Sequence, residues 1–333
     1  MNYRLFWCLL QIAFFVLVAS LAAFGQVAHD IKVKLDPESH RIEVVDKITL
    51  SPESLGAEPL HFIIHQGLEP DVLDKDIVLR KTFGAEASRF FIDNPSLQQS
   101  SMKIELFEVS LPEGTDQFTL KYAGEIYHPV QEYGEEYARS FSVSPGIISP
   151  KGIFLSGSTI WYPHFVDELV TFDLDVELPV GWSSVSQGTR EKTETGIDSR
   201  RDVWVADTPQ EEIYLISSQF TEYSQAAGAV EAMAFLRSPD SQLAQKYLDT
   251  TARYLEMYRK LLGPYPYSKF ALVENFWETG YGMPSFTLLG PRVIRFPFIL
   301  HSSYPHEILH NWWGNGVYTD YEKGNWAEGL TTY

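Results

Sequence analysis

Tyr304-Pro305-His306-Glu307-Ile308-Leu309-His310-Asn311-Trp312-Trp313-Gly314-Asn315, followed by Asn325-Trp326-Ala327-Glu328-Gly329, decides how this sequence reads. Ser303 can cap a helix with Pro305 in its first turn, and the helix should run to about Trp313 before Gly314 and Gly316 break it. Residues four apart share a helical face, so His306 and His310 can present two imidazoles to one cation. Neutral imidazole suits zinc, and Glu307 projects beside that face as a general base for water. A third ligand should be an oxygen from another helix, leaving the fourth position open. Glu328 is the candidate, just inside a helix that Asn325 could cap. The pattern points to a hydrolase that uses one Zn2+ per chain. The plainer alternative is a helix with satisfied histidines and Glu328 as a capping glutamate.

Upstream of this stretch the texture is α/β. Val230–Leu236 reads as a strand, and Ser238-Pro239-Asp240-Ser241 as a helix cap followed by proline in the first turn. Leu243, Tyr247, Thr251, Leu255, Tyr258 and Leu262 recur at helical spacing until Gly263-Pro264 stops them. Phe270-Ala271-Leu272-Val273 is the next strand. From His29 to about Tyr223 the signal is period two instead. Ile31, Val33 and Leu35 alternate with polar residues, as does Phe172-Asp173-Leu174-Asp175-Val176-Glu177-Leu178. Arg41–Leu50, Met102–Val109, Gln117–Tyr122 and Ile213–Phe220 are further strands. The expected organisation is therefore a β sandwich or saddle-shaped antiparallel sheet over 26–224, then the first part of an α/β catalytic domain over 225–333. Two aromatic loops, Tyr127–Tyr137 and Trp161–Phe165, read either as a wall over a substrate cleft or as ordinary loop packing.

The 333 residues carry 26 basic and 44 acidic side chains, a formal net charge of −18, which argues against nucleic acid as a partner. Hydrophobic residues at 44% and aromatics at 14% suffice for sizeable cores. Residues 1–25 form an apolar run behind Arg4, with small residues at its exit. They read as a secretory signal peptide, or as a membrane anchor if uncleaved. The one cysteine, Cys8, lies inside that run, so a mature chain would carry no thiol. An exported protein, periplasmic or extracellular, is the expectation, without a membrane partner unless the signal stays.

His306-Glu307-x-x-His310 with Trp313-Gly314-Asn315 and Glu328-Gly329 resembles the aminopeptidase N-like gluzincins. So do Gly263-Pro264-Tyr265-Pro266 and the Gly280-Tyr281-Gly282-Met283 loop. The resemblance implies a saddle-shaped β domain followed by a thermolysin-like peptidase domain. It also implies zinc on His306, His310 and Glu328, Glu307 as general base, and peptide or protein substrates. A metzincin pattern would need a third histidine where Gly316 stands. Three departures from the family pattern shape the expectation. Seventeen residues separate His310 from Glu328 instead of eighteen. Pro284-Ser285 follows Gly282-Met283 where the family has the amine-holding glutamate, and Glu278 lies nearby. Gly282, Met283, Pro284 and Ser285 remain the expected substrate-binding edge. Finally, Tyr333 comes too soon to be the family's transition-state tyrosine, so the sequence reads as the N-terminal part of a longer protein. Asp320 and Glu322 are weaker alternatives to Glu328. The expected activity is a zinc peptidase, aminopeptidase-like. The alternatives are an endo- or oligopeptidase without amino-end preference, or a non-catalytic peptide-binding protein.

Overall fold

A computed structural model describes residues 26–55, 59–93, 97, 102–132, 142–320 and 324–332. The expectations for 1–25, 133–137, Glu322 and Tyr333 lie outside these residues. Among the described residues no helix is long and apolar enough to cross a membrane.

Seven strands form the largest sheet, in the order Thr189–Thr195, Ser199–Gln210, Leu169–Pro179, Gln26–Asp36, Arg41–Leu50, Gln117–Glu125 and Asp71–Val72. The alternation seen in the sequence is obeyed residue by residue: Val27, His29, Ile31, Val33 and Leu35 are buried, and Asp30, Lys32 and Lys34 are exposed. Every pairing in this sheet is antiparallel except one. Gln26–Asp36 lies parallel to Leu169–Pro179, with Gln26 opposite Leu169, because a long excursion of chain separates the two strands. Smaller sheets of four, three and two strands complete the β-rich part.

The α/β part is built on a five-stranded sheet in the order Thr221–Ala227, Val230–Leu236, Lys269–Glu274, Phe286–Leu289, Gly280–Met283. Val230–Leu236, the helix Ser241–Leu262 and Lys269–Glu274 make a β-α-β crossover with parallel strands. The helix begins later than a cap at Ser238 would place it: Asp240 holds the cap position and accepts a hydrogen bond from the Leu243 amide at 2.9 Å, so Pro239 precedes the first turn. All six residues of the central strand are buried, because both faces of the sheet are covered. Met233, Phe235, Ala271, Val273, Phe286 and Leu288 join the core of the β-rich part. Ala232, Ala234, Phe270 and Leu272 pack under the helix with Tyr247, Leu248 and Leu255.

The helix carrying the two histidines is shorter than its sequence suggests. It spans Ser303–Leu309, and Ser303 is not its cap. Ser302 holds the cap position but donates its hydroxyl to the Phe298 carbonyl at 2.9 Å, so no side chain caps this end. The helix ends early because Asn311 diverts its backbone: the side-chain amide takes the Glu307 carbonyl, while the Asn311 amide turns to Ile308. Gly314, at φ 111°, then lets the chain curl back so that the Asn315 amide reaches the His310 carbonyl at 3.0 Å.

Two histidines, His65 buried and His164 half-buried, tie the fold to pH. His164 pairs its backbone with Ile63 and leaves Nδ1 without a partner. His65 sits at 2.8 Å, Nε2 to Nε2, from His128. Burial pushes both His164 and His65 down to about 4, with His29 against the first and His128 against the second; Asp167 and Glu105 oppose. Both rings are thus neutral in the folded protein at pH 7, whereas unfolded they take a proton near 6.5. Their stabilising contribution is complete above that value and is lost as pH falls towards 4, at about 3 kcal/mol per ring at most. Melting temperature should therefore drop steeply between pH 6.5 and 4, and less steeply in His164→Gln; a flat wild-type profile over that interval would refute the account.

Candidate metal centre and active-site cleft

The helix Ser303–Leu309 hangs from the long helix by polar contacts inside an apolar core. Tyr304, fully buried, meets Thr251 at 2.6 Å, hydroxyl to hydroxyl, and packs edge-on against Tyr247. The Tyr258 hydroxyl donates to the Pro305 carbonyl at 3.2 Å. With that side fixed, the next residue turns His306 towards open space. His310 follows one turn later, its amide bonded to the His306 carbonyl at 3.1 Å, and the two rings meet at right angles with centroids 4.6 Å apart.

Glu328 arrives from the helix Trp326–Thr332. Asn325 accepts the Glu328 amide at 3.5 Å, the expected capping contact at the limit of its range. Trp326 and Trp313 stack edge to face, and Ala327 is buried near Gly314, which holds this helix beside the first. With seventeen residues between them in sequence, His310 and Glu328 still meet, Nε2 to Oε1 at 3.4 Å. Among the described residues His306, His310 and Glu328 form the one group of three metal-capable side chains. Asp320 is exposed and takes no place in it.

The three residues lie close enough to share a cation, one ligand atom from each within 4.8 Å of the others. His306 Nε2 and His310 Nε2 are 3.0 Å apart, and they lie 3.3 and 3.4 Å from Glu328 Oε2 and Oε1 respectively. His310 Nδ1 lies 3.1 Å from the Trp313 carbonyl, to which it donates, leaving the Nε2 lone pair for a cation. The residues present therefore fit zinc.

Glu307 lies between the two histidines in sequence and beside their site in space. Burial pushes its carboxyl up to about 7, with the charge of Glu328 adding to the effect. Its Oε2 rests against Gly282, where any added Cβ would collide with it. This contact gives a reason for glycine in the edge strand Gly280–Met283.

The centre opens into a cleft of about 860 Å³. Gly280, Tyr281, Gly282 and Met283 line one wall, and Ser156, Ser158, Glu212 and Tyr214 another. Of the expected substrate-binding edge, Gly282 and Met283 border the cleft. Pro284 is not part of its lining, and Ser285 is fully buried behind it. From the first aromatic loop His128, Pro129 and Gln131 reach the cleft, whereas Trp161, Tyr162 and Phe165 are core residues. Sequence reasoning missed Glu212. Burial pushes its carboxyl up; the Tyr214 hydroxyl donates to it at 2.6 Å, and the Gly157 amide donates as well. Nothing local in Glu211-Glu212-Ile213-Tyr214 signals a cleft residue, since the contact comes from a distant loop.

No protein-family model matches the sequence, and no curated protein does. Solved structures do match in fold. A Glu-to-Ala variant of the M1 zinc metallopeptidase from Deinococcus radiodurans superposes with a TM-score of 0.56 at 15% identity, covering 92% of this chain and 67% of that one. The same variant bound to a Tyr-Ser-Ala substrate gives 0.55 at 14% identity with the same coverage. The enzyme itself, from that organism, gives 0.54 at 16% identity, again over 92% and 67% of the two chains. The chain thus has the fold of M1 zinc metallopeptidases, with several antiparallel sheets in common.

Removing one ligand tests the centre directly. Glu328→Ala and His310→Ala should each weaken zinc binding more than about a hundredfold in competition with a chromophoric chelator. Wild-type affinity in both variants would dismiss it.

Proposed function

We propose that the protein is a zinc-dependent peptidase. The observation that carries this reading is the convergence of His306, His310 and Glu328, one ligand atom of each within 4.8 Å of the others, with Glu307 beside them in an open cleft. Zinc held there would supply a Lewis acid that acidifies water and polarises the scissile carbonyl. Glu307 accepts the proton of the attacking water and returns it to the leaving amine nitrogen as the C–N bond breaks. Gly280–Met283 is the edge of its sheet and lines the cleft, so its free backbone groups can pair with an extended peptide. His310 stays a ligand of fixed tautomer through Trp313.

The same proposal takes the five-stranded sheet and its helices as a thermolysin-like catalytic domain from about residue 225, after an all-β domain over 26–224. It takes residues 1–25 as an export signal, supported by their apolar run. For the amino end of the substrate, Glu211 and Glu212 line the cleft besides the metal-site carboxyls, and no Lys or Arg does among the described residues. Such a wall favours a substrate that brings a positive charge, which a free amino terminus does. This supports aminopeptidase action without the glutamate that Pro284 replaces.

Two measurements test the proposal. Glu307→Gln should bind one zinc as the parent does and lose peptide hydrolysis by a factor of at least about a thousand; unchanged turnover would sink the mechanism, and a parent that binds peptide without cleaving it would leave only a binding protein. A peptide with a free amino end should be cleaved in preference to its acetylated twin, and equal rates would rule out amine anchoring.

A further inference from the structure

Among the described residues Lys269 is the one buried Lys or Arg. It opens the central strand of the five-stranded sheet, is 2% exposed, and has no carboxylate in hydrogen-bonding reach among its described partners. Its ammonium lies over the faces of Trp204 and Phe286, at 5.1 and 5.5 Å from the ring centroids. Both its hydrogen bonds go to one residue: Nζ lies 2.8 Å from Ser285 Oγ and 3.3 Å from the Ser285 carbonyl. Burial holds its amine well below the ordinary lysine range, with the neighbouring Arg190 adding to the effect. A leucine or methionine would fill this place without that desolvation cost.

Ser285 is costly in a second way. It adopts φ +66°, a left-handed conformation that most residues avoid, and it is completely buried. What keeps it there is a full set of partners: Lys269 and the Gly188 amide on its hydroxyl, the Ala271 amide on its carbonyl, and Asn311 Oδ1 on its own amide at 2.6 Å. Asn311 is also fully buried. Its side-chain amide donates to the carbonyls of Glu307 and Ile308, both at 3.2 Å. A continuous relay thus runs from Lys269 through Ser285 and Asn311 to the backbone of Glu307. Ser285 is also the residue from which the chain turns out of the edge strand Gly280–Met283, whose Gly282 touches the Glu307 carboxylate.

We propose that Lys269 is a positioning residue: through Ser285 and Asn311 it locks the edge strand to the histidine helix and so sets where the Glu307 carboxylate stands. Two unfavourable features, a buried amine and a strained serine, meet in one network that links the two walls of the site. A packing role alone would need neither of them. The kinetic consequence rests on the peptidase reading, but the mechanical one does not.

The experiment compares Lys269→Met and Ser285→Ala with the parent, first without metal, by amide hydrogen exchange. Exchange over 280–289 and 306–312 should accelerate about tenfold or more, with no change over 26–50. With zinc, kcat should fall about tenfold or more while KM stays within about twofold, and Lys269→Arg should restore part of it. The two substitutions together should cost little more than one, since they cut the same relay. Unchanged exchange in the two segments, or uniform acceleration everywhere, overturns the proposal. If Lys269→Met does not fold, Ser285→Ala decides alone. If the parent hydrolyses nothing, the peptidase reading fails while the exchange result still judges the relay.

Discussion

The Nε2 atoms of His306 and His310 stand 3.0 Å apart, and two neutral rings presenting lone pairs to each other there would repel unless a proton or a cation stood between them. That requirement organises the site. The Trp313 carbonyl occupies the other nitrogen of His310 and so commits Nε2 to the shared position. The carboxylate of Glu328 closes the third side. A proton could satisfy one pair of these atoms, whereas a cation could be held by one atom from each of the three residues, which lie within 4.8 Å of one another. The surrounding structure holds these groups together.

It does so from both sides of a very short helix. Seven residues make too little helix to be stable alone, so its position comes from its attachments. Tyr304 and Pro305 fasten one flank to the long helix, and Asn311 fastens the other to the strand end at Ser285. The five-stranded sheet underneath is covered on both faces, one by the long helix and the other by the core shared with the β-rich part. A cleft wall built on such a sheet is stiffer than one built from loops.

Local pattern made part of this legible in the sequence. Arg41–Leu50 and Val230–Leu236 stand in the structure with the same bounds because alternation is a property of neighbouring residues. The long helix likewise ends at the stop at Gly263. The spacing of His306 and His310 declared their common face for the same reason. What could not be read depends on chain brought from far away. No periodicity announces that Gln26–Asp36 lies parallel to Leu169–Pro179. The early end of the histidine helix turns on one asparagine choosing a carbonyl, and its start leaves Ser303 inside the helix while Ser302 bonds backwards to Phe298. The burial of Ser285 follows from Lys269 and Asn311, each many positions away. Glu212 belongs to the same class.

That parallel pairing also governs the order in which the molecule can assemble. Gln26–Asp36 finds its hairpin partner Arg41–Leu50 at once, but its other edge waits for Leu169–Pro179. During synthesis from the amino end, this edge of alternating Val27, Ile31, Val33 and Leu35 stays unpaired while well over a hundred residues are made. Such a long-range closure slows folding and offers a template to other chains. Lys32 and Lys34 on its opposite face, charged and exposed, are the kind of residues that keep strangers from stacking there in the meantime.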